Sequence, residues 1–445
     1  MLDFDKYWYL YLIHWVVNPI VIGYLVQLLW GNIRYLSIPY VFIASYFLFI
    51  YLRALEIYIA DYHEHLFMIA VWLVPYIFIF FTSAWFLLLD HGRKKQVTAF
   101  FRTDFSVRDI QISNFSPLIS FFFISLPLFY LLDKGIQNIA AFFLIFNPGE
   151  ARETMILRIG GLTSNFGPFL TLIYAYSRAL LYPIYTGVLV ALHSRGLVSR
   201  VHLWSVIVAA TLFSLFTAAK APLAYLLMIV LLSKYFSNKG NLKSRKFLLM
   251  AFLSLFIPAL LYPLWLGSTG GEALIVAISM LWRRITLIPS QASAIYFDAF
   301  TSAYSHAGFS SNRWLALIFQ EDYQSTASLI YNDFLQGNIP GGLVNASYFA
   351  SLFADWGMAG AVLGTILIAL LLASFQIFLD RCRADALTIG IRAVVLVATA
   401  QLMMTNVYSV LAGRGLLSAT LLLLILNSIF PKKNDFRKLD TGHRG

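Results

Sequence analysis

Apolar stretches of about 20 residues, enough to cross a bilayer core as a helix, recur from one end of the chain to the other. Eleven are predicted as membrane spans: 7–30, 35–52, 66–89, 114–132, 166–192, 201–217, 221–236, 247–267, 346–378, 387–411 and 414–430. The tightest pair is separated only by a turn at 218–222, and 346–378 is long enough to begin outside the membrane. The first stretch, Tyr7–Trp30, is too long for a signal-peptide core, lacks a basic leader and precedes further spans, so it is read as a span itself. Two intervals between spans are large, 133–165 and 268–345. Within the second, 272–300 mixes apolar runs with Arg283, Arg284 and Asp298, which predicts a helix lying at the membrane interface, with a fully inserted span as the rival. The pattern predicts an all-α polytopic integral membrane protein of about 11 (10–12) transmembrane helices. It forms one domain over 1–430, followed by a polar tail at 431–445.

Composition agrees with this picture. The chain has 445 residues, 60% of them hydrophobic and only 12% charged, with a mean hydropathy of +0.75. Soluble proteins carry roughly 25% charged residues, so a soluble enzyme with a single anchor is excluded. A net charge of +11 would suggest nucleic acid in a soluble chain. Here the positive-inside rule accounts for most of it. With a cytoplasmic C-terminus, the inside segments around Arg34, 90–113, 193–200, 234–246, 379–386 and the tail hold 20 of the 32 Lys and Arg residues. The start of the chain, the acidic 56–65 stretch, 133–165 and 268–345 then face outwards, and no nucleic-acid partner is called for. The single Cys382 excludes a disulfide framework and a cysteine-based metal cluster. No nucleotide-binding fingerprint occurs, so ATP-driven chemistry has no support.

The informative residues are those that break the rule. Arg152, Arg158, Arg178, Lys220, Arg283, Arg284 and Arg414 fall on the outward side or within spans, where basic groups are disfavoured by topology and desolvation. Together they point to an anionic ligand, and a lipid diphosphate fits because guanidinium groups hold phosphate oxygens in bidentate fashion. The bland alternative is snorkelling to lipid phosphate or local pairing, as Arg152 could do with Glu150 or Glu153. The outer carboxylates and imidazoles are Glu150, Glu153, Asp298, His306, Glu321, Asp322, Asp333 and Asp355; any one could act as a general base, and spacing does not choose between them. His63 and His65, with Glu64 between, lack the spacing of one helical face and a third ligand, so no metal is expected. His14 reads as a packing residue. Trp265, Trp282, Trp314 and Trp356 read as an interfacial belt, with sugar stacking as the sharper alternative.

Several segments in order over roughly 145–430 resemble the bacterial O-antigen and oligosaccharide repeat-unit polymerases of the Wzy type. They are Gly149-Glu-Ala-Arg-Glu153; Phe216-Thr-Ala-Ala-Lys-Ala-Pro222; Leu281-Trp-Arg-Arg-Ile-Thr-Leu-Ile-Pro289 followed by Tyr296-Phe-Asp-Ala-Phe300; and Asn345-Ala-Ser-Tyr-Phe with Asp355-Trp-Gly-Met-Ala-Gly360. The chain departs from the Arg-x10-Gly motif of some members, since none of Arg152, Arg158, Arg283 or Arg284 has Gly eleven residues on. The resemblance implies a glycosyltransferase of the inner membrane working on its periplasmic face. Such an enzyme transfers a glycan from undecaprenyl diphosphate onto a new lipid-linked repeat unit, without metal, nucleotide sugar or other cofactor. Its implied partners are undecaprenyl-diphosphate-linked glycans, the bilayer and a chain-length regulator protein. The residues suit that chemistry. Arg283, Arg284, Arg152, Lys220 and Arg178 could stabilise the departing diphosphate, and Asp298 or His306, with Asp333 behind them, could take the acceptor proton. The competing readings are a lipid-linked oligosaccharide flippase, which should show two related halves that this chain lacks, an O-antigen ligase, and a non-catalytic component of an assembly complex.

Overall fold

The computed structural model describes residues 4–30, 36–61, 65–89, 107–147, 150–161, 163–216, 220–238, 244–260, 263, 271–337, 342–382 and 384–429. Among them every regular element is helical. Eight helices are long and apolar enough to cross a membrane: α1 (Tyr7–Trp30), α2 (Ile38–Ala60), α3 (His65–Leu89), α4 (Arg108–Lys134), α5 (Pro168–Ser194), α9 (Gly271–Ser302), α10 (Tyr348–Arg381) and α12 (Ser409–Leu426). Four shorter apolar helices complete the bundle: α6 (Arg200–Phe216), α7 (Ala221–Ser237), α8 (Leu249–Ala259) and α11 (Ala386–Gln401). Each of the eleven predicted spans thus has a helix, four of them shorter than the length expected of a span. The segment expected at the interface, with an inserted span as the rival, forms part of α9, a 32-residue helix long and apolar enough to cross. The tail 431–445, most of 90–113 and the pair His63 and Glu64 lie outside the described residues.

The core is built around α5 and α11. The α11 stretch is largely apolar and carries a single charged residue, Arg392, which suits a central helix, and nearly all of its residues are buried. It crosses α5 where two glycines meet: a Cβ on Gly187 would lie 2.9 Å from Gly390 Cα. This small-residue contact lets the backbones approach closely, as in other membrane helix pairs. Helices α7 and α2 pack on α11, while α10 packs on α3 and α9.

Charged groups pin one end of this bundle. Arg195 donates to Asp109 and to the Ala384 carbonyl, and the Ala386 amide donates to the other Asp109 oxygen at 2.8 Å. Arg108 pairs with Asp385 at 3.3 Å, and Asp385 caps α11 through the Thr388 amide. Arg392 and Gln376 both hold Asp380, at 3.0 and 2.7 Å, while the Gln376 carbonyl accepts from the Ile38 amide. Arg381 donates to the Leu89 carbonyl. The chain segments beside residues 38, 89, 108, 195 and 381–386 therefore meet at one end.

At the far end, α10 is not one helix. Trp356 (φ −140°) and Gly357 (φ +65°) break it, a conformation that glycine adopts readily. In a continuous helix Tyr348 and Thr365 would lie about 25 Å apart, yet their hydroxyls are 3.0 Å apart. Residues 348–355 therefore fold back as a short arm against 358–365, forming a helical hairpin. The length of the predicted 346–378 span includes this reversal. Gly360 makes the hairpin possible, because a Cβ there would lie 2.3 Å from the Leu352 carbonyl oxygen. Gly360→Ala is expected to lower stability by about 1–3 kcal/mol, the cost of overpacking a tight contact. Gly364→Ala should cost less, since its Cβ meets only the flexible end of Leu352. Melting temperatures in detergent check both, and equal effects would contradict this account of the turn.

Candidate functional site

Prolines shape the site locally. Three π-helical turns, Ile13–Val17, Ser177–Leu181 and Arg283–Leu287, each end two residues before a proline: Pro19, Pro183 and Pro289. Proline has no N–H and its ring crowds the carbonyl four residues back, which in each case lies inside the turn. The wider π-turn relieves that clash, and such turns often occur at functional positions. Arg178 lies in the second of these turns, Arg283 and Arg284 in the third. Arg414 directly follows a further π-turn, Ser409–Gly413.

Arg178 and Arg414 line one cavity of about 250 Å³. Its apolar wall includes Ile229 of α7 and Val394 and Val397 of α11, and its polar lining includes Tyr225, Gln401 and Ser409. The Arg414 guanidinium carbon lies 6.0 Å from the centre of the Tyr225 ring, within reach of a cation–π contact. Arg178, Pro222 and Gln401 each sit about 22–24 Å along their helices from the charged end, at 1.5 Å per residue. Thr365 lies at the same depth, and so does Tyr348 at the foot of the hairpin arm, whose amide donates to the Leu402 carbonyl at 2.7 Å. The cavity is thus at the end of the bundle opposite the ion pairs. A hollow lined by Gln137, Phe142, Phe143 and Phe146 contains no charged side chain.

Above this level is the hairpin tip. Asp355 is buried there at 2% exposure and accepts from Tyr408 at 3.2 Å; the next residue along, Ser409, lines the cavity. His306 rests on the tip, its Nε2 2.9 Å from where a Gly357 Cβ would be, with its ring edge-on to Phe353. The Ala307 amide donates to the Ala354 carbonyl. Short helices, among them Arg313–Phe319 and Thr326–Leu329, lie between α9 and the hairpin, tied down by the Val344 amide on the Ala327 carbonyl and Tyr296 on the Val344 carbonyl.

Of the cations singled out in the sequence, Arg178 and Arg414 line the cavity among the described side chains. Arg283 and Arg284 are exposed on α9, and Arg152 is exposed on the short helix Ala151–Gly160. The side chains of Lys220 and Arg158 lie outside the described ones, although Pro222, two residues after Lys220, belongs to the cavity. Among the expected bases, Asp298 is half-buried near the end of α9, His306 sits at the tip and Asp333 is exposed on the turn Ile330–Phe334; none lines the cavity. Gln401 and Tyr225 were not anticipated. Charge patterning cannot find a neutral residue, and only its depth within the bundle marks it. Among the described residues, no three His, Cys, Asp or Glu side chains are grouped to hold a metal ion. No family model, curated protein or solved structure matches the chain.

Proposed function

We propose that the chain is a membrane glycosyltransferase that polymerises undecaprenyl-diphosphate-linked oligosaccharide units on the periplasmic face of the bacterial inner membrane. One observation carries this reading: two arginines, Arg178 and Arg414, line one headgroup-sized cavity at the end of the bundle opposite the ion pairs. The described helix ends that border Lys- and Arg-rich stretches of the sequence, at residues 89, 108, 195 and 381, meet at the ion-paired end, which by the positive-inside rule is cytoplasmic. The cavity then faces the periplasm, as do the hairpin tip and the short helices over it. Eleven or twelve crossings follow, according to whether α9 is inserted.

In this reading the acceptor hydroxyl of the new unit attacks the anomeric carbon of the donor glycan. The bond from that carbon to the diphosphate oxygen breaks, and the electron pair leaves with the diphosphate. Arg178 and Arg414 stabilise the charge that develops there, and direct displacement inverts the anomeric centre. The acceptor proton passes to a base at the tip, for which His306 is placed first and Asp298 second.

Analysis of glycans in a deletion strain tests the reading. Loss of a polymerase leaves single repeat units on the surface. Polymer accumulating unattached on lipid would indicate a ligase, and absence of glycan outside the inner membrane would indicate a flippase.

A further inference from the structure

Gln401 is 4% exposed, lines the cavity with both arginines, and among the described residues its Oε1 accepts no hydrogen bond. Buried polar atoms are nearly always partnered, so one that is not calls for an explanation. Its position is fixed: Gln401 ends α11, and the next carbonyl, that of Leu402, is held by the Tyr348 amide of the hairpin arm. The terminal amide torsion is broad, so the oxygen turns towards the cavity without moving the backbone.

The cavity therefore offers two kinds of complementarity side by side. The arginines call for an anion, and the Gln401 oxygen calls for a neutral donor, a hydroxyl or amide N–H. A volume of about 250 Å³ is below the roughly 300–1,000 Å³ of pockets that enclose a drug-sized ligand. It suits a headgroup and the edge of one attached ring, and excludes a whole oligosaccharide. A bare lipid diphosphate satisfies the arginines and leaves Gln401 unpaired. A sugar attached directly to the diphosphate supplies both. We infer that Gln401 reads a hydroxyl or amide N–H of the sugar attached to the diphosphate, making it the residue that distinguishes a loaded glycosyl diphosphate from the spent lipid. This inference rests on the diphosphate reading of the cavity.

The test compares binding of undecaprenyl diphosphate and of undecaprenyl-diphosphate-linked N-acetylhexosamine to the purified full-length protein. The wild type should prefer the glycosylated lipid about tenfold, the order that a single neutral hydrogen bond supports. Gln401→Met should remove that preference while leaving the affinity for the bare lipid diphosphate unchanged. Gln401→Glu keeps an acceptor oxygen, so it should retain the preference while weakening both lipids through repulsion, and it serves where the methionine variant fails to fold. Equal binding of both lipids by the wild type, or a preference that survives Gln401→Met, overturns the role of Gln401 and leaves the diphosphate site standing. An equal loss for both lipids in Gln401→Met makes the residue structural and likewise overturns its role. A wild type that binds neither lipid overturns the site and this inference together.

Discussion

Replacing Arg178 or Arg414 with alanine is expected to slow polymer extension about a hundredfold, roughly 3 kcal/mol of transition-state stabilisation, the scale of one oxyanion donor. Both residues line the cavity, and the leaving diphosphate gains negative charge as the glycosidic bond breaks. Lysine should restore only part of the loss, because it supplies a point charge where arginine presents a planar fork. The double alanine variant should fall short of the product of the single effects, since residues acting on one group are not additive. Arg283→Ala and Arg284→Ala are the controls. These arginines lie exposed on α9, outside the cavity, and their loss should cost less than about tenfold. Turnover of lipid-linked repeat units by purified protein measures all of these, with ladder length in cells as the second readout. A reversed ranking would move the diphosphate from the cavity to α9.

The second large effect is on stability. Asp109 is fully buried and accepts from both Arg195 and the Ala386 amide. Arg195→Ala removes a countercharge from a fully buried carboxylate, and Asp109→Ala strips the buried Ala386 amide and the part-buried Arg195 of their shared acceptor; each should destabilise the fold, by about 3–5 kcal/mol at most. Removing both groups, as in Asp109→Leu with Arg195→Met, should cost much less than the sum, because no charge is then stranded. Thermal unfolding in detergent decides this. Additive losses would mean that the pair does not act as a unit.

Much of this architecture was legible in the hydrophobic pattern. Apolar runs of crossing length lie where helices form, because in lipid every backbone polar group must be satisfied within its own segment. The hairpin was hidden by the same apolarity. Residues 346–378 read as one span because both of its helices are apolar, and only Gly357, Gly360 and Gly364 hint that the chain reverses there. The site was partly legible. Arg178 stands out as a charge inside a span, and Arg414 as a cation beside one. Their meeting depends on the packing of α5 against α11 and on the turn before α12, which no spacing along the chain encodes. The adjacent pair Arg283 and Arg284 gave the stronger local signal, yet the fold leaves it on the outside of α9.

The ion-paired end works as a fulcrum. Helices joined at Asp109, Arg195, Asp380 and Arg392 are held together there, and any tilt about that end grows in proportion to distance from it. At about 24 Å along the helices, a tilt of about 5° would displace one helix relative to its neighbour by about 2 Å. That is a substantial part of the thickness of a hydrocarbon chain, gained without breaking one ion pair. If the cavity holds a lipid diphosphate as proposed, an opening of that size would admit the tail from the side while the opposite pole stays latched.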